Sequence, residues 1–323
     1  MSILVYTENW EGKFKKLSFE LVSYANEMAK QLGTEVTAVS IGNVDDTELK
    51  SLGLYGASKV INVNDAQLEK LSNAPYARVI ADAATKENAQ VIVFAHNNAG
   101  KAIAPRVSVK LKAGLVSGAS EAPSCYDPFT VKKKAFTGKA FANIVVKSAV
   151  KIVTLSQNSF GLVEDAKDAF IEAYAPTLDA AEFKTEVKDT NKITGKVLLN
   201  DAEIVVSAGR GLKGPENWGP IEEMAELLGA ATACSRPVSD EEWRPHSEHV
   251  GQTGKIIAPN LYFAFGISGA IQHLGGVSSS KVIVAVNTDK DAPIFEAADY
   301  GIIGDAQKIL PQLVEAIKSA KAE

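Results

Sequence analysis

Residues Val250 to His273 read VGQTGKIIAPNLYFAFGISGAIQH. The segment opens with Gly251-Gln252-Thr253-Gly254, continues through Lys255 into Ile256-Ile257-Ala258, and reaches Leu261 to Phe265, which is apolar almost throughout. A short apolar run bounded by turn residues predicts a strand buried on both faces, as in a parallel sheet. Gly266-Ile267-Ser268-Gly269-Ala270 then turns the chain into a helix that begins Ile271-Gln272-His273. A strand, a tight Gly/Ser turn and a fresh helix N-terminus make an anion site, because free N–H groups and the positive dipole end face whatever docks there. The same turn also occurs in α/β proteins that bind nothing at it, so this stretch alone leaves both readings open.

Outward from that stretch, the second half of the chain keeps an α/β rhythm. Ile204-Val205-Val206 predicts a strand broken by Gly209-Arg210-Gly211, and Glu216 to Leu228 predicts a helix with Trp218, Ile221, Met224, Ala225 and Leu228 on one face. Ala230 to Ala233, Val282 to Val286 and Gly301 to Gly304 predict further strands, and a last helix carries Ile309, Leu313, Val314 and Ile317. The first half alternates in the same way. Strands are expected at Ile3–Thr7, Val36–Ile41, Val60–Val63 and Val91–Ala95, with helices at Lys16–Leu32, Asp46–Leu52, Tyr76–Asn88 and Gly100–Leu111. After Leu115, Phe129–Val131, Lys139–Phe141, Ile144–Val146 and Ile152–Thr154 predict an antiparallel excursion on the same domain. Lys188 to Lys192 is the most linker-like point, which places a boundary between an N-terminal α/β domain at 1–191 and a parallel-sheet α/β domain at 192–323. No internal repeat of fixed period is evident.

Composition narrows the function classes. The 323 residues are 46% apolar and 23% charged, with a net charge of −5, which disfavours a nucleic-acid partner. Lys132-Lys133-Lys134 is the densest basic patch and reads as a solvated face. Two cysteines, Cys125 and Cys234, have no metal or redox-motif spacing and fit a reducing compartment. The opening MSILVYTENWEGK runs straight into a short strand, and no membrane-length apolar run follows, so a cytoplasmic protein without membrane insertion is expected. There is no Gly-x-Ser-x-Gly, no His/Cys cluster and no HExxH. His246 and His249 lack a third ligand nearby, so no zinc site is expected.

In a parallel sheet, ligands bind beyond the carboxyl ends of the strands. In the second half those ends carry Gly209-Arg210-Gly211, Ser235-Arg236, Gly266 to Gly269, Asn287 and Asp305. Together they describe a lined cleft with the inventory a dinucleotide needs: backbone N–H groups, hydroxyl acceptors and an arginine. Each also has a plainer reading. Arg236 is equally a surface arginine, His273 a packed structural histidine, Asp305 a helix N-cap, Asn287 the start of an Asx turn, and Ser235 a strand stop.

The motifs Ser207-Ala208-Gly209-Arg210-Gly211-Leu212-Lys213, Ser235-Arg236-Pro237, Val250-Gly251-Gln252-Thr253-Gly254-Lys255, Gly266 to His273 and Ala298-Asp299-Tyr300-Gly301 resemble the electron transfer flavoprotein α subunit, in that family's order and spacing. The first half resembles the family's N-terminal domain, with a weaker motif from Asn97-Asn98-Ala99-Gly100-Lys101 to Arg106. The resemblance implies FAD in the second domain and a heterodimer with a β subunit that carries AMP. It implies electron transfer from acyl-CoA or other flavin dehydrogenases to a quinone oxidoreductase through a stabilised semiquinone, as in fatty acid β-oxidation. By position, Ser235 and Arg236 would lie against the isoalloxazine. Val250, Gly251, Gln252 and Thr253 would bring a hydroxyl near flavin N5, and His273 would put positive potential at the N1/C2=O edge. Ser268, Gly269, Ala270, Ile271 and Gln272 would wrap the pyrophosphate, and Arg210, Asn287, Asp305 and Ala306 would hold the ADP portion. Cys234 and His249 depart from the family's usual residues. An electron-bifurcating subunit is one alternative. A pyridine-nucleotide dehydrogenase subunit is another.

Overall fold

The computed structural model describes residues 2–190 and 197–322. Two compact units divide between Thr190 and Asn191. The linker expected at 188–192 ends in residues that lie outside the described ones, as does the boundary expected after residue 191.

The first unit is built on a ten-stranded sheet. Its parallel centre runs Gly114–Ala119, Lys151–Leu155, Ala89–Ala95, Ser2–Tyr6, Glu35–Ile41, Ala57–Val63 and Phe170–Ala173 in spatial order. Ser2–Tyr6 is buried at every position, as a strand covered on both faces must be. The helices Lys16–Leu32, Asn73–Lys86 and Asn98–Leu111 cover the two faces. The antiparallel excursion is smaller than expected. Phe129–Ala135 pairs antiparallel with Ala140–Val145, so the runs expected at 139–141 and 144–146 are one strand. Ile152–Thr154 leaves the excursion and lies parallel between Ala89–Ala95 and Gly114–Ala119. A buried carboxylate fastens the following loop: Glu20, 1% exposed, accepts backbone N–H bonds from Asn158, Phe160 and Gly161 at 2.9–3.0 Å.

The second unit is a five-stranded, all-parallel sheet in the order Ala231–Cys234, Ile204–Ala208, Leu261–Phe265, Val282–Asn287, Tyr300–Ile303. Counting strands along the chain, that order is 2-1-3-4-5, and its direction reverses between the first and third strands. Gly219–Leu228 covers one face and docks Trp218, Ile221 and Met224 into the core with Leu310 and Val314 of the helix Ala306–Ala322. The other face is closed by residues including Ile257, Val277 and Ile294. The outermost strand, Tyr300–Ile303, is exposed at every position. Among the described residues no helix is long and apolar enough to cross a membrane.

Candidate cofactor site

Two strand ends meet where the strand order reverses. Ile204–Ala208 runs into Gly209-Arg210-Gly211, and Leu261–Phe265 runs into Gly266. The Gly209 N–H donates to the Phe265 carbonyl at 2.9 Å, and the Gly211 N–H donates to the Gly266 carbonyl at 3.1 Å. Gly266 has φ +59°, and a Cβ placed on it would stand 2.7 Å from the Gly211 Cα. The two turns therefore cross backbone against backbone, and only glycine fits there.

At this crossing lies a cavity of about 650 Å³, within the range of about 300–1,000 Å³ usual for small-molecule and cofactor sites. The first strand's end contributes Arg210. The turn and short helix after the second strand contribute Ser235, Arg236, Pro237 and Asp240, and the loop before the third contributes His249 to Thr253. Gly266, Ile267, Ser268, Ala270, Gln272 and His273 come from the third strand's end and the next helix, and Asn287 from the fourth strand.

Hydrogen bonds fix these walls to one another. The Gln252 N–H donates to the Gln272 carbonyl at 2.8 Å, and the Ile257 N–H to the Gly276 carbonyl at 2.9 Å, so the 250–257 loop and the helix Ile271–Val277 hold each other. Arg236 donates from Nε to both Asp240 oxygens at 3.0 and 3.1 Å, and from Nη1 to Thr253 Oγ1 at 3.1 Å. Asp240 follows Arg236 by four residues on one helix, the spacing that makes ion pairs neighbours. Exposure limits the stabilisation from that pair to about 1 kcal/mol or less. Its effect is on charge, since a carboxylate offsets the guanidinium the sequence reading placed there alone. Asn287 starts an Asx turn with the Asp289 N–H at 3.0 Å, and its Nδ2 donates to the Ile267 carbonyl at 2.9 Å.

Two histidines close the floor. The His249 ring is buried against the Gly251–Gly254 loop, where a Cβ on Gly254 would stand 2.7 Å from its Nδ1. His273 Nε2 lies 2.8 Å from the Tyr262 hydroxyl. The Nδ1 atoms of both rings are buried with no hydrogen-bond partner among the described residues. Burial, and then the charge of His249, push His273 down to about 4, with the Val250 backbone acting the other way. Burial also lowers His249, followed by His246 and Arg236, with Asp240 opposing. Burial thus favours the neutral imidazole for His273, at the start of a seven-residue helix.

Four expected residues lie outside the cavity walls. Gly269 turns at φ +84° against the Ile294 backbone, and Ile271 is half exposed. Asp305 accepts the Gln307 N–H at 3.0 Å and pairs with Lys213 at 3.2 Å, which makes it a helix cap. Ala306 is packed in the core.

The model for the electron transfer flavoprotein domain matches residues 3–181, and that for the electron transfer flavoprotein FAD-binding domain matches residues 198–278. The chain is 37% identical to the electron transfer flavoprotein subunit alpha of Megasphaera elsdenii, with 99% of this chain and 97% of that one covered. The chain belongs to the electron transfer flavoprotein α-subunit family. It is 34% identical to the same subunit of Bacillus subtilis (strain 168), over 98% of this chain and 97% of that one. Identity is 33% to a protein of Anaerotignum propionicum named acryloyl-CoA reductase electron transfer subunit beta, over 99% and 96% of the two chains. The matched FAD-binding segment of this flavoprotein subunit supplies every cavity wall except Asn287. The walls suit such a ligand: Arg236 and Thr253 at one side, two unpaired buried imidazole nitrogens on the floor, and a glycine crossing that admits close backbone approach. Sequence reasoning missed Pro237 and Asp240 as walls and treated His249 as a departure and as half of an incomplete zinc pair. For Asp240 the signal was its position four residues after Arg236.

Proposed function

We propose that this chain binds FAD in the cavity of its second unit and, paired with a β subunit, carries electrons between partner oxidoreductases. The observation that carries this reading is the cavity itself, which lies where the strand order reverses and within the segment matched to the FAD-binding domain. The bound isoalloxazine supplies the electron-accepting and electron-donating group. The chain's own residues bind and orient it. Arg236, held by Asp240 and Thr253, offers a guanidinium at the mouth, and the Thr253 oxygen accepts from Arg236, which leaves its hydroxyl hydrogen to donate elsewhere. Ser268, Ala270 and Gln272 present the turn and first helical residues to the phosphates, and Arg210 and Asn287 flank the remaining portion. His249 and His273 form a floor that stays uncharged at neutral pH.

The proposed donors are flavin dehydrogenases of the acyl-CoA dehydrogenase type, and the acceptor is a membrane quinone reductase. The relative named for an acryloyl-CoA reductase supports a partner that acts on acyl-CoA thioesters. The proposed β subunit carries AMP, and the proposed location is the cytoplasm. Co-expression with the β subunit, followed by an absorption spectrum and a count of flavins per heterodimer, tests the reading. One FAD assigned to this chain, lost when Arg236 and Thr253 are both replaced by Ala, is the expected result. A complex without flavin bands rejects it.

A further inference from the structure

We infer that His249 is a positioning residue whose neutral ring holds the Gly251–Gly254 loop, and with it Thr253, at the cavity wall, so that proton uptake opens the loop and loosens the bound ligand. The identity of that ligand rests on the flavin reading; the response of the loop does not.

His249 is 2% exposed, and its ring lies beneath the loop that follows it. A Cβ placed on Gly254 would stand 2.7 Å from its Nδ1, and one on Gly251 would stand 3.4 Å from its Nε2. On the loop's other side, a Cβ on Gly276 would stand 2.5 Å from the Gly251 Cα. The loop is thus held between an imidazole and the backbone of the helix Ile271–Val277. Its backbone also closes on itself. The Gly251 N–H donates to the Lys255 carbonyl at 3.1 Å, and the Lys255 N–H donates to the His249 carbonyl at 2.9 Å. Thr253 accepts from Arg236 Nη1 at 3.1 Å, so the place of its hydroxyl at the mouth depends on the ring below.

The neutral ring fits this enclosure and the charged one does not. His249 Nδ1 is buried with no hydrogen-bond partner among the described residues. A neutral imidazole keeps its hydrogen on Nε2 and leaves a lone pair on Nδ1, whereas the imidazolium carries N–H on both nitrogens. A buried donor without an acceptor is unfavourable, and more so when charged. The neighbouring carboxylates are already engaged. Both Asp240 oxygens accept from Arg236 Nε, and Glu248 accepts from Arg244 Nε and Nη2 at 2.8 and 2.9 Å. The other groups around the ring bring no negative charge. The His246 ring stands 5.4 Å away between centroids, His273 acts from the helix Ile271–Val277, and Lys255 ends the loop. Cys234, bridged to His249, is a thiol that burial pushes up to about 12. Burial first, then His246 and Arg236, hold His249 below its ordinary 6.5 against the pull of Asp240. An open loop releases the ring to water, where it titrates in the ordinary way, so acid favours the open state.

The test is hydrogen exchange of the loop amides, read by mass spectrometry on the flavin-loaded heterodimer and on His249→Gln at each pH, so that the intrinsic exchange rate cancels. A ring that titrates at 6.5 when the loop is open makes opening about tenfold more frequent at about pH 5.5 than at about pH 7.5. Loop exchange in wild type, relative to the variant, should rise by about that factor. Flavin release should accelerate over the same range more steeply in wild type than in His249→Gln. An exchange ratio that stays constant with pH overturns the inference; a histidine that merely packs predicts this, with a lower melting temperature in the variant. A loop that opens with acid while flavin release follows the same pH curve in both proteins overturns it as well. If His249→Gln does not assemble, wild-type exchange divided by the intrinsic rate of each amide gives the same pH dependence without a variant. A heterodimer purified without flavin rejects the functional reading only, because loop exchange is measured in it just the same.

Discussion

Replacing Gly266 with Ala probes the backbone crossing beneath the cavity. Gly266 has φ +59°, and the added Cβ would stand 2.7 Å from Gly211 Cα and 3.0 Å from Gly211 C, both backbone atoms that cannot swing aside. The left-handed conformation costs an alanine about 1–2 kcal/mol, and forcing a methyl into filled space adds about 1–3 kcal/mol. A loss of about 2–5 kcal/mol is therefore expected, a large part of the roughly 5–15 kcal/mol that holds a typical domain together. Gly229→Ala provides the control: Gly229 has nearly the same angle, φ +61°, with nothing within 4 Å of its Cβ position. That variant should lose only the conformational part, about 1–2 kcal/mol. Urea unfolding followed by tryptophan emission reads both, because Trp218 and Trp243 lie in the second unit and only Trp10 lies in the first. Gly266→Ala should also release bound flavin at lower urea than Gly229→Ala. If Gly266→Ala costs no more than Gly229→Ala and keeps its flavin, the crossing is not the constraint described above.

Arg236→Ala should lower the midpoint potential of the bound flavin and Asp240→Asn should raise it, because the first removes a cation from the cavity mouth and the second removes the anion offsetting it. Redox titration of both variants decides this, and potentials equal to wild type in both would remove the pair from the flavin. For pH, the folded value of His273 is about 4 against 6.5 for the free group, so the unfolded chain binds the extra proton between these values. Stability contributed by the neutral ring is complete above about pH 6.5 and lost on acidification toward about 4, amounting to about 3 kcal/mol. His273→Gln should accordingly lose less stability than wild type between about pH 7 and 5 in urea titrations, and parallel losses would contradict the assigned burial. In the first unit, Glu20→Gln should destabilise by about 2–3 kcal/mol by weakening three charge-assisted bonds. It should also open the 158–161 backbone to protease, and an unchanged cleavage rate would count against that anchoring.

Periodicity sufficed for the parallel strands, because a strand buried on both faces must be apolar at nearly every position, as at Ser2–Tyr6 and Leu261–Phe265. It did not reveal which neighbour a strand takes. Ile152–Thr154 has the same composition whether it joins the hairpin before it or the parallel centre, and the partner strand Ala89–Ala95 lies far away in sequence. Phe170–Ala173 escaped notice because an edge strand is only half covered and so carries no continuous apolar run. In the cavity, glycines, hydroxyls and the arginine were legible as strand-end residues. His249 and Tyr262 were not, since the first acts through a ring packed beneath a loop and the second reaches His273 from inside the sheet. Asp305 and Ala306 were drawn to the site by motif position, and the local chemistry of a helix cap accounts for Asp305.

The 2-1-3-4-5 order of the second sheet also bears on how that unit is made. After the first two strands, the third docks on the edge of the first that the second left open, Leu261–Phe265 on Ile204–Ala208, and each later one docks on its predecessor, Val282–Asn287 on Leu261–Phe265 and Tyr300–Ile303 on Val282–Asn287. A ribosome adds about 5–20 residues per second, so the stretch from Phe265 to Ile303 takes on the order of seconds to emerge. Small elements form in microseconds, so each strand has time to pair before the next appears. The sheet can grow outward in the order of synthesis, and the glycine crossing beneath the cavity is complete once the third strand has docked. Among the described residues growth stops at the edge strand Tyr300–Ile303, with the side chains of Tyr300 and Ile303 exposed, a template for strand addition by any other nascent chain that reaches it first.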